Sequence, residues 1–147
     1  MKPTAGCMCW KNLKLRKGKK MIKGRCECGA IRFEIGGART SVTICHCSQC
    51  RRTSGHLWAS THAPYDQVTF LADEGLKWYE SSDIAKRGFC QHCGSSLFYR
   101  TNSESGIGIA AGCLDTPTGF HVGKHIYTED KADYYEIIDD VPPVKRA

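Results

Sequence analysis

The segment GRCECGAIRFE, residues 24–34, joins a metal-binding pattern to a clear strand pattern. Cys26 and Cys28 are two residues apart, so on an extended backbone both side chains point to the same side and can reach one metal ion. Gly29 follows at once and supplies the positive φ that such a turn often needs. Apolar and polar residues then alternate over residues 31–35. This alternation predicts a strand with one face in a core and the other in water.

Further strands are predicted where short runs rich in β-branched or aromatic residues are bounded by Gly, Pro, Asp or Asn. These runs are residues 41–44, 57–61, 68–71, 76–79, 96–99, 107–111 and 134–138. Only residues 48–53, directly after Cys47, predict a short helix, and the chain has no internal repeat. We therefore expect a mainly β protein.

Seven of the ten cysteines fall into tight groups along the chain. The groups are Cys26-x-Cys28, Cys45-x-Cys47-x-x-Cys50 and Cys90-x-x-Cys93. The first and last groups are each followed by glycine and together offer four thiolates, which predicts a closed, tetrahedral, structural zinc site. Such a site would join segments more than sixty residues apart. A disulfide or an iron–sulfur cluster is the alternative use of the same cysteines.

The middle group, Cys45, Cys47 and Cys50, supplies three ligands within six residues. Three protein ligands and one open position are the pattern of a catalytic zinc site. The alternative is a second structural site, closed by a fourth ligand from elsewhere in the chain. The candidates for that ligand are His46, His56, His125 and Cys113.

The positive charge of the chain is concentrated at its N-terminus. The formal net charge is +6, but residues 1–25 hold nine Lys and Arg and no acid, which leaves 12 basic and 15 acidic residues in the remainder. We expect residues 1–20 to be a flexible basic extension and residues 21–147 to form one domain. Nucleic-acid binding by the extension is the weakest functional alternative, because the remainder is mildly acidic.

The chain shows no signal for secretion or membrane insertion. The N-terminal basic region lacks a following apolar segment and cleavage site, and no run of eighteen apolar residues occurs. We therefore expect a cytoplasmic protein without a membrane partner. A reducing compartment also favours metal binding over disulfides for the clustered cysteines.

Four segments together resemble the glutathione-dependent formaldehyde-activating enzyme family. They are GRCECGAIRFE, CHCSQCRRTSG, GFCQHCGSSLFYR and GCLDTPTGFHVGKHIYTEDKADYYEIIDDVP, which span about residues 22–141. The resemblance implies the Mss4-like fold of small packed antiparallel sheets. It also implies a structural zinc at the outer cysteine groups and the active-site zinc at the middle group. The basic extension and Asp133-Tyr134, in place of a common Pro-Trp, depart from the family pattern.

The family resemblance implies condensation of formaldehyde with glutathione to S-hydroxymethylglutathione, a reaction classed with carbon–sulfur lyases. A zinc ion with an open position suits this reaction, because it deprotonates thiols near neutral pH. Arg51 and Arg52 follow the middle group and are candidate contacts for the glutathione carboxylates, or else a solvated pair of surface charges. Candidates for proton transfer are His46, His56 and His125. The alternative function is a non-catalytic zinc-binding interaction module on the same fold.

Overall fold

The computed structural model describes residues 20–147, so the extension predicted for residues 1–20 lies almost wholly outside the described residues. The strands of this part are β1 (Ile22–Arg25), β2 (Arg32–Ile35), β3 (Ser41–Cys45), β4 (Trp58–Pro64), β5 (Val68–Ala72), β6 (Leu76–Ser82), β7 (Ala85–Cys90), β8 (Ser96–Thr101), β9 (Gly106–Ala110), β10 (His121–Ile126) and β11 (Pro143–Val144). The helices are α1 (Ser48–Ser54) and short 3₁₀ turns at Tyr65–Gln67, Ala111–Cys113 and Thr128–Asp130. The prediction of a mainly β protein is confirmed.

The strands form two sheets. The smaller sheet has the order β1-β2-β5, and the larger has the order β11-β10-β3-β4-β9-β8-β7-β6. Pairing is antiparallel, as predicted, except that β10 runs parallel to both β3 and β11. This parallel pairing brings the strand that contains His125 beside the strand that ends at Cys45.

The predicted strand at residues 134–138 is wrong. This segment is irregular, and Ile138 is 91% exposed. Its tyrosines are held instead by side-chain hydrogen bonds to His46 and His56. The sequence reading also missed β1, β7, β10 and β11. The short helix predicted after Cys47 is confirmed as α1.

The two faces of the large sheet differ sharply, as the strand register shows. Residues directly opposite one another in a ladder point to the same face. One face carries the apolar core, where the side chains of Ala63, Phe98, Ile107 and Ile109 are fully buried. The opposite face carries Cys45, Trp58, Ser60, Tyr99 and Arg87, together with glycines of β9.

The small sheet covers the core face. Phe33 of β2 is buried and meets Phe98 of β8 edge to face, with ring centroids 5.1 Å apart. Gly24 of β1 lies against the Phe33 ring. A Cβ atom at this position would overlap the ring and would lie 2.9 Å from the carbonyl oxygen of Cys113. Only glycine therefore fits between the ring and the carbonyl. Within residues 20–147, no helix is long and apolar enough to cross a membrane.

We expect Gly24→Ala to destabilise the protein by about 1–3 kcal/mol, because overpacking forces side chains and backbone to shift. Gly112→Ala is the matched control, since nothing lies within 4 Å of the position its Cβ would take. Urea unfolding of the two variants measures the difference. Equal midpoints would show that the contact between Gly24 and Phe33 does not limit stability.

Candidate metal centres

The four cysteines of the first and last groups gather at the junction of the two sheets. Cys26 follows β1, and Cys90 ends β7. The Sγ atoms of Cys26 and Cys28 are 3.6 Å apart, those of Cys28 and Cys90 are 3.7 Å apart, and all four sulfurs, including that of Cys93, lie within 4.8 Å of one another. Zn–S bonds of about 2.3 Å place tetrahedral sulfurs about 3.8 Å apart. The four thiols therefore fit a zinc ion.

Backbone turns hold these sulfurs in place. Gly29 and Gly94 have φ values of 80° and 76°, which confirms the positive φ predicted for Gly29. The amide of Gly94 donates to the carbonyl of Cys90 over 2.8 Å. The Ser95 hydroxyl, followed by backbone amides, lowers the pKa of Cys93 to about 5. These contacts favour the thiolate form that binds metals.

The middle group, the three cysteines at residues 45, 47 and 50, lies where β3 meets α1. Cys45 ends β3, Cys47 is the N-cap of α1, and the amide of Cys50 donates to the Cys47 sulfur over 3.3 Å. The three sulfurs lie within 4.8 Å of one another. Among residues 20–147, no other Cys, His, Asp or Glu side chain joins this group. The group can therefore hold a metal ion while leaving one coordination position open.

The proposed fourth ligands are engaged elsewhere. His46 and His125 are buried and bond to each other, with Nε2 of His46 2.8 Å from Nδ1 of His125. His56 bonds to the Tyr134 hydroxyl over 2.8 Å, and the Cys113 thiol lies 3.7 Å from the Ser96 carbonyl. None of them closes the three-cysteine group.

His46 and His125 belong to a longer hydrogen-bond chain. The Tyr135 hydroxyl bonds to Nδ1 of His46, and Nε2 of His125 lies 2.9 Å from Oδ2 of Asp139. Burial, and then the neighbouring His125, lowers the pKa of His46. The hydrogen bond from His125 lowers the pKa of Asp139. This hydrogen-bond chain thus consists of two imidazole rings between a tyrosine hydroxyl and a carboxylate.

Arg87 of β7 places a buried positive charge beside the middle group of cysteines. Its Nη2 lies 3.4 Å from the Cys50 sulfur and 3.0 Å from the side-chain amide oxygen, Oε1, of Gln49. The guanidinium also lies 5.0 Å from the ring centroid of Tyr99 and 5.7 Å from that of Trp58. Only 6% of Arg87 is exposed, and its Nε and Nη1 have no partner among the described residues.

The positive charge of Arg87 favours the thiolate form of Cys50. A hydrogen bond from the Cys45 thiol, together with the Arg87 guanidinium, lowers the pKa of Cys50 to about 6 against the effect of burial. The same hydrogen bond, with burial, raises the pKa of Cys45. These contacts favour the thiolate form of Cys50.

A cavity of about 440 Å³ opens beside the three sulfurs. It is lined by all three cysteines and by Trp58, Tyr99, Arg87, Glu104 and Tyr127, among others. Neither Arg51 nor Arg52 lines it, and neither do His46, His56 and His125. A small molecule in this cavity would therefore meet aromatic walls and the open side of the cysteine group first.

Sequence reasoning did not identify Arg87, Tyr127, Trp58 or Tyr99 as site residues. β7 was not predicted because Lys86, Arg87 and Gly88 interrupt its apolar residues. Tyr127 has a φ of 54°, which is unusual for a residue other than glycine and has no signature in a single sequence. The available signal was the alternation Trp58, Ser60, His62, which places an aromatic and polar face beside Cys45.

Comparisons with known proteins show the family of this chain. Residues 21–130 match the family of glutathione-dependent formaldehyde-activating enzymes. An uncharacterized lyase of Schizosaccharomyces pombe is 26% identical over 121 residues, which cover 78% of this chain and 83% of that protein. The crystal structure of a Rhodobacter sphaeroides protein is 27% identical, with a TM-score of 0.56, and the match covers 64% of this chain and 88% of the other. Because the family match extends over most of its length, the chain belongs to the glutathione-dependent formaldehyde-activating enzyme family.

Proposed function

We propose that this chain is a zinc-dependent carbon–sulfur lyase-type enzyme that condenses formaldehyde with glutathione to S-hydroxymethylglutathione. The observation that carries the proposal is the three-sulfur group beside a cavity of about 440 Å³, with no fourth side-chain ligand among residues 20–147. A purely structural site has no need of an open position or of an adjoining cavity.

Each cysteine group has a distinct role in this proposal. Cys26, Cys28, Cys90 and Cys93 hold a structural zinc, and Cys45, Cys47 and Cys50 hold the zinc of the active site. A zinc ion held by Cys45, Cys47 and Cys50 would supply the Lewis acidity that favours the thiolate form of a substrate thiol near neutral pH. The four-sulfur site has no remaining position for a substrate.

Arg87 adjusts the charge of the active site. Three thiolates leave one excess negative charge around a divalent ion, and this excess weakens its attraction for a further thiolate. The guanidinium donates a hydrogen bond to Cys50, and its fixed position depends on Gln49 and on the rings of Trp58 and Tyr99. Arg87 therefore offsets the excess charge with a cation that is pre-positioned and shielded from water.

The reaction needs no redox cofactor. The thiolate sulfur attacks the carbonyl carbon of formaldehyde and forms the C–S bond, while the electron pair of the C=O π bond moves to oxygen. That oxygen takes up a proton from solvent in place of the proton that the thiol released. Trp58 and Tyr99 form walls that hold the two reactants together beside the cysteines.

Metal analysis tests the two roles. We expect two zinc ions per chain in the reduced wild-type protein. Cys47→Ser should keep the fold and about one zinc but lose thiol-dependent activity, because its group is local in sequence. Cys93→Ser should lower the melting temperature sharply, since a structural zinc contributes about 10 kcal/mol or more.

Cys113→Ser is the matched control, because Cys113 belongs to neither sulfur group. It should retain both zinc ions and full glutathione–formaldehyde activity. If Cys47→Ser unfolds the protein as badly as Cys93→Ser, the three-sulfur group is structural. The non-catalytic zinc module would then replace the enzyme.

Arg87→Gln should lower kcat/KM for glutathione and formaldehyde about 10- to 100-fold, as losses of groups that support metal ligands do. Arg87→Lys should restore little, because an ammonium group cannot span Cys50 and Gln49 as the guanidinium does. The control is Lys86→Gln, the neighbouring position, whose ammonium group lies over Trp78. Steady-state kinetics and thermal melts of the three variants separate lost activity from lost stability. Wild-type kinetics in Arg87→Gln would remove Arg87 from the mechanism.

A further inference from the structure

A polar trough continues from the cysteine cavity along the same face of the large sheet. A second cavity of about 200 Å³ shares five lining residues with the first: Thr43, Trp58, Ser60, Tyr99 and Glu104. A third cavity of about 480 Å³ shares four with the second: Arg39, His62, Glu104 and Gly106. The three cavities form one continuous surface, called here the β9 trough, which leads from Cys45 to Arg39.

The β9 trough exists because β9 has no side chains on this face except the methyl group of Ala110. A Cβ at Gly106 would overlap the ring of His62. A Cβ at Gly108 would lie 3.5 Å from both Trp58 and Tyr99 and would fill the space between them. Backbone thus forms the floor, and the side chains of β4 and β8 form the walls.

The β9 trough carries one positive and one negative charge beyond the cysteines: Arg39 lines the second and third cavities, and Glu104 lines all three. The guanidinium of Arg39 has no hydrogen-bond or salt-bridge partner within residues 20–147. The Glu104 carboxylate has only the His62 ring, at 3.9 Å. Burial, and then the nearby Arg39, lowers the pKa of His62 from its usual 6.5, so this ring is neutral at pH 7. Arg39 and Glu104 are therefore both available to a ligand.

We infer that the far end of the β9 trough binds an α-amino-acid group, with its carboxylate on Arg39 and its ammonium on Glu104. In glutathione this group is the γ-glutamyl end, which carries both charges on one carbon, whereas the glycine end carries only a carboxylate. This inference rests on the proposed function, since it places the substrate sulfur at Cys45, Cys47 and Cys50. It makes Arg39 and Glu104 specificity-determining residues.

The dimensions of the β9 trough agree with this orientation. Cys45 lies opposite Trp58, and His62 is four residues further along β4, a distance of about 14 Å at the usual rise per residue. Seven bonds separate the glutathione sulfur from the γ-glutamyl α-carbon, an extended span of about 9 Å. With the sulfur beside the cysteines, the α-carbon reaches the stretch between Ser60 and His62, where Arg39 and Glu104 both line the trough.

A comparison of two ligands tests the inference without relying on turnover. The probes are S-methylglutathione and S-methyl-cysteinylglycine, which lacks the γ-glutamyl group. Calorimetry should show that Arg39→Gln and Glu104→Gln each weaken S-methylglutathione binding about tenfold or more, the effect expected of a lost charge-assisted contact. Neither variant should change the affinity for S-methyl-cysteinylglycine. The KM for glutathione should rise in parallel with little change in kcat.

The matched control is Arg32→Gln, an exposed arginine of the small sheet, which should change neither affinity. Arg52→Gln tests the rival position on α1. The inference is overturned if Arg39→Gln and Glu104→Gln bind S-methylglutathione as the wild type does, if both probes weaken equally, or if Arg52→Gln alone has the effect. Absence of S-methylglutathione binding to the wild type also overturns it. Selective binding without formaldehyde turnover would instead refute the proposed function and leave the subsite standing.

Discussion

The alternation of glycine and isoleucine along β9 is the constraint on which both faces of the large sheet depend. Ile107 and Ile109 are fully buried and fill the core below the strand, while Gly106 and Gly108 leave the upper face open. A shift of one residue in register would expose the isoleucines and remove the trough at the same time. The five residues of β9, Gly106–Ala110, therefore stabilise the fold and create the space for a ligand.

The cysteine sulfurs beside Arg87 explain why its charge can be buried. A guanidinium that is 6% exposed, with two of its nitrogens, Nε and Nη1, unpartnered among the described residues, carries a large desolvation penalty unless negative charge lies beside it. The Cys50 sulfur at 3.4 Å provides that charge when it is a thiolate. The aromatic rings of Trp58 and Tyr99 add the negative faces of their π systems on the same cation. The arginine and the three sulfurs thus form one electrostatic unit, of which only the sulfurs are visible in the sequence.

Local patterns and long-range contacts differ in how far the sequence predicts them. The spacing of the cysteines predicted two groups, and the same seven sulfurs come together in two groups, because ligand spacing is a local property. Most strands were predictable from alternation for the same reason. The parallel pairing of β10 with β3, the position of Arg87 and the trough could not be predicted, since each depends on which strands become neighbours. The segment 134–138 has a strand-like composition, but it pairs with no strand of either sheet, and its tyrosines bond instead to His46 and His56.

That segment is positioned by the hydrogen-bond chain, whose direction follows from its carboxylate end. Because the Asp139 carboxylate only accepts, the Nε2 of His125 donates to it, and Nδ1 of His125 is the atom that can accept from His46. Nε2 of His46 must then donate to His125, so its Nδ1 accepts from the Tyr135 hydroxyl. Every donor finds an acceptor without an added charge. The hydrogen-bond chain holds residues 135–139 beside His46 and His125 and engages both ring nitrogens of His46, so this ring is not free to join the neighbouring sulfurs as a metal ligand.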